Sequence, residues 1–456
     1  MKHLQGQSHY KRHILGKAIA ALMLTGLYSI GHAADTATDV EALRQEVAEL
    51  KKVVQTLMTQ QQAATPLSPA PATVAQTASS RTASTAQVAK PIPSVAKTAG
   101  GWATLPEGKT SAKIYGLIRA DMFHDFKGQP TGKFSNLHTQ PLNSTDPVDN
   151  KTTFTAAATR VGVDFKTPTA MGDVGAKIEA DFWGNGGTGS ATFRIRHAYL
   201  TSGNWLFGQT WSPFAGQDYR AETVDTLGVA GSSNRRAPQI RYTYPLSNAI
   251  ALMLAAEEDT SGDARFPALS TRLEYKLAEK KGAFSLRSML HEKRGIVSTL
   301  VGKQTQNSVD EKVGYGAALG AWYQLNSDNK LTGQFFHVKG DGSFNQGTGR
   351  GFSVNKKTAD VYFDEYDSAQ LGITHQFNPK VRSTLALSWV DFKDSSDYAM
   401  ANPDSNKTLK QATVNVFYTP VQSLALASEY TYGQREVFGG DKAKQSHLNL
   451  SAQYSF

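Results

Sequence analysis

From Ser111 onward the chain alternates apolar and polar residues one by one, in stretches of about 8 to 16 residues separated by turn residues. A repeat of two is the repeat of a β-strand with two unlike faces. Ile114, Gly116, Ile118, Ala120 and Met122 fall on one face of the first stretch, and Lys113, Tyr115, Arg119 and Asp121 on the other. Val174, Ala176, Ile178, Ala180 and Phe182 likewise oppose Lys177, Glu179 and Asp181. Leu269, Thr271, Leu273, Tyr275 and Leu277 oppose Arg272, Glu274 and Lys276, and Val381, Ser383, Leu385, Leu387 and Trp389 oppose Arg382. The last strand sets Leu448, Leu450, Ala452, Tyr454 and Phe456 on one side. Sixteen such strands are expected.

Their connections alternate in length. Short turns fall at Pro168–Asp173, Ser202–Asn204, Pro245–Asn248, Ala278–Gly282, Asn326–Lys330, Asn378–Lys380 and Thr419–Val421. The connections between them are mostly long: 127–151, 212–237, 259–267, 293–310, 339–361, 392–407 and 433–445, with Gly184–Ser190 alone departing from the rule. Short turns on one side and long loops on the other mark an antiparallel transmembrane barrel. A soluble sandwich also alternates, but its inner face is the apolar one and its turns follow no two-sided rule. The expected fold is all-β: a 16-stranded antiparallel transmembrane β-barrel over 111–456. Its aromatic end at Phe456 resembles the C-terminal signature of bacterial outer-membrane barrels.

Composition agrees. The 456 residues hold 48 Lys+Arg against 39 Asp+Glu, a formal charge of +9, and no cysteine. Without cysteine there is no disulfide scaffold, no Cys-ligated zinc or iron–sulfur site and no thiol nucleophile. A mean hydropathy of −0.39 argues against a bundle of transmembrane helices, each of which needs about 20 consecutive apolar residues. It suits a barrel that turns its apolar face to lipid and its polar face to a water-filled lumen.

The N-terminus reads as an address followed by a tether. Lys2, Lys11, Arg12 and Lys17 precede an apolar run from Ala18 to Tyr28 and then Gly31-His32-Ala33, the layout of a signal peptide over residues 1–33. Its removal takes four positive charges and no negative ones, leaving +5, of which the barrel carries +4. That net value is too small to set selectivity, so the arrangement of charge has to. Export also argues against nucleic acid as a partner. Within 35–62, Val40, Leu43, Val47, Leu50, Val54 and Leu57 alternate spacings of three and four, the seam of an α-helical coiled coil. Three heptads are marginal by themselves, and Val at a with Leu at d favours dimers in isolation. Residues 65–110, rich in Ala, Thr, Ser and Pro, are expected to form a disordered linker.

The chemistry concentrates inside the barrel. The connection from about Ser212 to Ala237 resembles in position the third outer loop of general porins, which folds inward to narrow the pore. It carries Asp218, Arg220, Glu222, Asp225, Arg235 and Arg236, and its acids are expected to face a basic wall across the constriction. The wall candidates are Arg119, Arg160, Lys177, Arg194, Arg196, Arg241, Arg272, Lys276, Arg287 and Arg382, all on polar strand faces. Rings of Arg and Lys select anions, and Arg suits bidentate contact with carboxylate or phosphate. The competing reading pairs these cations with Asp164, Glu179, Asp181 or Glu274 to stiffen the wall. Arg194, Arg196 and Arg241, beside the loop, are the ones expected to touch solute.

No cofactor, metal or catalysis is expected. His124, His197, His291, His337 and His375 are scattered without metal-ligand spacing, and no GxSxG elbow occurs. Gly184-Asn185-Gly186-Gly187-Thr188-Gly189 matches the dinucleotide spacing but leads into a strand, not a helix. A sugar porin would carry a continuous aromatic track, whereas Tyr115, Trp183 and Trp322 are separate polar-face aromatics. A barrel-anchored tether or adhesin, reaching peptidoglycan through the N-terminal segment, is the reading from another class.

Phe193-Arg194-Ile195-Arg196-His197-Ala198-Tyr199, Gly208-Gln209-Thr210-Trp211-Ser212-Pro213-Phe214 and Arg235-Arg236-Ala237-Pro238-Gln239-Ile240-Arg241-Tyr242, with Lys177-Ile178-Glu179-Ala180-Asp181-Phe182, carry a resemblance. With the order signal peptide, coiled coil, tether and barrel, the chain resembles the DcaP-like outer-membrane porins of Gram-negative bacteria over most of its mature length. The resemblance implies the outer membrane, with the coiled coil in the periplasm. It also implies a homotrimer with one pore per barrel, taking up dicarboxylates and related small anions by diffusion. Nothing in periodicity or spacing separates dicarboxylate from phosphate.

Overall fold

Period-two alternation becomes wall. The structure, a computed structural model, describes residues 97–98, 101–105, 109–128, 134, 137–142, 149–184, 192–259, 264–301 and 304–456. The signal peptide and coiled coil expected over 1–33 and 35–62 lie outside the described residues.

Nineteen strand segments form one sheet; two of them precede the barrel and two are halves of one interrupted strand, which leaves sixteen wall strands. They are β1 (Ser111–Lys127), β2 (Lys151–Thr155 and Arg160–Thr169), β3 (Gly172–Asp181), β4 (Arg194–Ser202), β5 (Trp205–Trp211) and β6 (Arg236–Pro245). Then follow β7 (Ile250–Glu257), β8 (Ala268–Lys276), β9 (Gly282–Val301), β10 (Gln304–Gln324) and β11 (Asn329–Lys339). The circuit ends with β12 (Glu365–Asn378), β13 (Val381–Phe392), β14 (Asn406–Val421), β15 (Leu424–Val437) and β16 (Lys442–Ser455). Each pairs antiparallel with the next, and β16 pairs back onto β1, with Ala452 opposite Ala120. Closure leaves no free edge, so the wall's backbone groups are satisfied internally, as a lipid environment demands. At the seam Phe456 N donates to Gly116 O at 3.1 Å and Gly116 N to Phe456 O at 3.0 Å.

The outward face is apolar and exposed at Ile114, Ile178, Leu269, Leu319, Leu371 and Val414, while Asp121, Glu179, Arg272 and Gln334 are buried on the inward face. The larger surface recesses, of about 670, 550 and 510 Å³, lie among outward side chains such as Leu286, Phe335, Leu371 and Leu426, which makes them lipid-facing grooves.

Three boundaries differ from expectation. The long connection expected over 293–310 is strand, because β9 and β10 form a hairpin of 20 and 21 residues. That is about twice the 9–11 residues a membrane crossing needs. The connection expected over 433–445 likewise shrinks to the few residues between Val437 and Lys442. Polar composition suggested loops in both places; a hairpin partner satisfies the backbone whether or not the side chains are apolar. The sheet also reaches back into the expected linker, since Lys97–Thr98 pairs with Trp102–Thr104, and Ala103 and Thr104 pair with Ala112 and Ser111.

Inside the barrel the long connections pack like a small soluble protein. The connection after β5 runs inward as two 3-10 turns, Pro213–Ala215 and Gln217–Tyr219. Phe214 joins Met289, Phe336, Phe344, Tyr366, Val390 and Leu409 in a buried cluster. Phe344 comes from the connection between β11 and β12, which bonds the inner loop through Gly231 N to Gln346 O at 2.7 Å and Asn234 N to Phe344 O at 3.1 Å. Bare backbone makes room: a Cβ on Gly316 would sit 2.8 Å from the Phe214 ring, and one on Gly320 2.6 Å from the Tyr219 ring.

Candidate functional site

The inner loop is bound along one side of the lumen. Arg287 donates to Phe214 O and to Leu319 O, each at 2.9 Å. Arg272 reaches Asp218 at 2.8 Å and also bonds Glu274. Arg382 grips Glu222 with two bonds, at 2.8 and 2.7 Å. At the loop's far end, Glu429 accepts from Val224 N at 2.6 Å and Asp225 N at 2.9 Å. Arg119 closes that end, bonding Val224 O at 2.6 Å and its neighbour Asp121.

A cavity of about 250 Å³ lies between the loop and β2 to β6. The wall contributes Arg160, Asp181, Trp183, Arg194, Arg196, Trp211 and Arg236, and the loop contributes Gln217, Arg220, Leu227 and Asn234. Five guanidinium groups thus meet one carboxylate at its surface.

The wall geometry follows from one irregularity. β3 and β4 lose register between Glu179 and Ala180: Ile195 pairs with Ala180 and His197 with Glu179, so Arg196 is the extra residue of a bulge. A bulge re-aims a side chain, and here Arg196 turns inward with Nε 2.7 Å from Glu179 Oε1 and Nη1 2.9 Å from Asp181 Oδ2. Arg194 holds Asp181 with two bonds, at 2.9 and 2.7 Å. Arg160 Nε lies 3.4 Å from Glu179 Oε1. Two carboxylates therefore orient three arginines without neutralising them. Arg236 adds a fourth, stacked 4.2 Å from the Trp211 ring. From the loop, Arg220 bonds Gln217 Oε1 and Leu227 O, each at 2.9 Å. Burial lowers its pKa to about 10, so it stays a cation at neutral pH.

The expectation that the loop's acids face a basic wall across the opening is corrected. Asp218 and Glu222 bond the wall on which the loop lies, and Asp225 Oδ1 accepts from Leu227 N at 2.8 Å within the loop. Arg220 borders the cavity from the loop, while Asp218, 64% exposed, keeps a face open to the lumen beside its Arg272 bond. Of the expected pore-lining residues, Arg160, Arg194, Arg196 and Arg236 come together there. Arg119, Arg272 and Arg287 do not, since they hold the loop from behind. Lys177 bonds Asp164 at 2.7 Å and Tyr115 at 2.9 Å. Arg235 bonds Ser343 Oγ at 2.6 Å and Glu258 O, tying the loop to its neighbours. Arg241 faces the lumen but stands apart from the cavity.

Sequence reasoning missed Trp211, Gln217, Leu227 and Asn234 as lining. The alternation of β3 places Trp183 inward; the others carry no signal short of the loop's path. Among the described residues one trio has metal-ligand geometry, Asp259, His291 and Asp341. Lys293 Nζ lies 2.6 and 2.7 Å from the two aspartates, so a cation already fills that place.

The sequence model of the DcaP outer membrane protein family matches residues 89–456. The outer membrane channel DcaP of Acinetobacter baumannii is 32% identical, with a TM-score of 0.68 over 77% of this chain and 99% of that one. An anion-selective porin from Comamonas acidovorans shares the architecture at 15% identity, with a TM-score of 0.51 over 76% of this chain and 100% of that one. OmpT of Vibrio cholerae in its trimer form does so at 13% identity, TM-score 0.51, over 76% and 99%. No curated protein matches the sequence. A closed sixteen-stranded barrel narrowed by an arginine-lined inner loop is a channel in form, and the chain belongs to the DcaP outer membrane protein family, whose members are outer-membrane channels.

Proposed function

We propose that this porin passes small anions by passive diffusion, dicarboxylates above all, and that it works as a homotrimer with one pore per barrel. The observation that carries the reading is the cavity of about 250 Å³ bordered by Arg160, Arg194, Arg196, Arg220 and Arg236 against Asp181 alone. Such a constriction repels cations and lowers the cost of desolvating an anion. Arg220 faces the four wall arginines from the loop, so a molecule with a carboxylate at each end meets guanidinium on both sides, with bidentate contact open to each. The name of the Comamonas acidovorans relative, an anion-selective porin, favours the same preference, and the trimer form of OmpT favours the assembly. The expected signal peptide and periplasmic coiled coil complete the proposal as address and tether.

Reconstitution in a planar bilayer under a KCl gradient tests it. The reversal potential is expected on the chloride side, and added succinate is expected to block the small-ion current. R194A with R196A should move the reversal potential toward potassium, since Glu179 then keeps only Arg160 as an arginine partner and Asp181 keeps none. Cation preference in the wild-type channel, with no response to succinate, would overturn the proposal.

A further inference from the structure

The inward cations of this barrel are almost all engaged. Arg119 has Asp121, Lys177 has Asp164, Arg272 has Asp218 and Glu274, Lys293 has Asp259 and Asp341, and Arg382 has Glu222. Arg287 has two backbone carbonyls. Arg241 has no ion pair and no hydrogen-bond acceptor among the described residues, and its Nε is buried without a partner. Its in-register neighbours on the flanking strands are Leu206 and Ala255, neither of which offers an acceptor side chain. The nearest carboxylate in that register is Glu257, opposite Gln239. Its Oε1 is taken by Ser212 Oγ at 2.7 Å and by Ser270 Oγ; its Oε2 has no hydrogen-bond partner, and its charge attracts Arg241 without forming an ion pair.

Arg241 is half-buried, with its Nε enclosed and its terminal nitrogens open to the lumen, so it presents there a positive charge that makes no ion pair among the described residues. Arg241 lies on the same strand as Arg236, five residues nearer the short-turn end. At about 3.3 Å per residue the two are about 16 Å apart along the strand, too far for one small dianion to bridge. Arg236 borders the constriction cavity and Arg241 does not.

We propose that Arg241 is a second anion station, beyond the constriction on the short-turn side, taking small dianions of the class the constriction admits. The inference rests on the anion reading above and adds a step to it. A solute leaving the constriction exchanges one guanidinium for another instead of returning its charge to a bare lumen. Passage through two moderate sites is faster than through one tight site, because each must bind well enough to admit the ion and loosely enough to release it.

The test is succinate block of potassium chloride current, with succinate added in turn to each chamber. R241Q should raise the half-blocking concentration from one chamber by about tenfold, the scale of one charged hydrogen bond, and leave the other within about twofold. R236Q should do the same from the opposite chamber. A255D sets a carboxylate opposite an intact Arg241 and should reproduce R241Q, while R241K, which keeps the charge, should retain the block. If R241Q and A255D leave block from both chambers unchanged while R236Q shifts it, Arg241 is only a structural cation and the constriction reading stands without it. If the wild-type channel ignores succinate from either side, the constriction reading itself fails and takes this step with it.

Discussion

Glu179 and Asp181 decide how the arginine charge is presented. Each holds more than one guanidinium, so the side chains are fixed while positive charge remains in excess; the sequence could offer pairing or solute contact as alternatives, and the structure makes the same residues do both. A different carboxylate carries the clearest pH dependence. Asp364, in the connection between β11 and β12, is buried with Oδ1 unpartnered. Burial, with the charge of Glu365 adding, pushes its pKa from 3.8 up to about 8. The folded protein thus keeps a proton that the unfolded chain releases. The contribution to stability is full below about pH 4 and declines as pH rises through about 8. Unfolding midpoints in denaturant should therefore fall between pH 5 and pH 9, and D364N should flatten that decline; an identical decline in the variant would show that other groups cause it.

At the scale of elements, the inner loop owes its path to anchors lying far away in sequence. Glu429 of β15 accepts two buried N–H groups at the loop's far end. Glu429→Ala leaves both unsatisfied, at about 1–3 kcal/mol each, while the Arg272 and Arg382 anchors persist. The expected result is a larger and noisier single-channel current with little change in ion preference, because four of the five cavity arginines stay on the wall; an unchanged quiet current would mean the loop does not depend on Glu429. Gly216 shows why the path was hard to read. It sits at φ 57°, and a Cβ there would lie 1.9 Å from Arg287 Nη1. Gly216 is one of three glycines in a 24-residue connection, and a glycine announces a turn but not the wall it turns against. The position of the loop after β5 was legible. The direction its acids face was not, since Asp218 and Glu222 could equally meet cations across the opening or behind the loop.

At the scale of the molecule, the strands of the closed sheet among the described residues begin at Lys97. A chain starting at Lys90 should insert and conduct with the ion preference of the full protein, checked by the reversal potential in a KCl gradient; loss of conductance would make the N-terminal segment part of the channel and not an appendage. Strand number, the faces of the strands and the two-sided rule of connections were written in the sequence, because a period of two and turn residues are local properties of the backbone. Strand length was not legible for β9, β10, β15 and β16, where polar residues look like loop but keep pairing. Nor could residue order assign each cation its partner. That depended on a one-residue bulge at Arg196 and on which wall the inner loop packs against, and both are contacts between residues brought together only when the barrel closes. The sequence by itself determined a barrel with a charged interior, and the tertiary structure decided which of those charges face the passage.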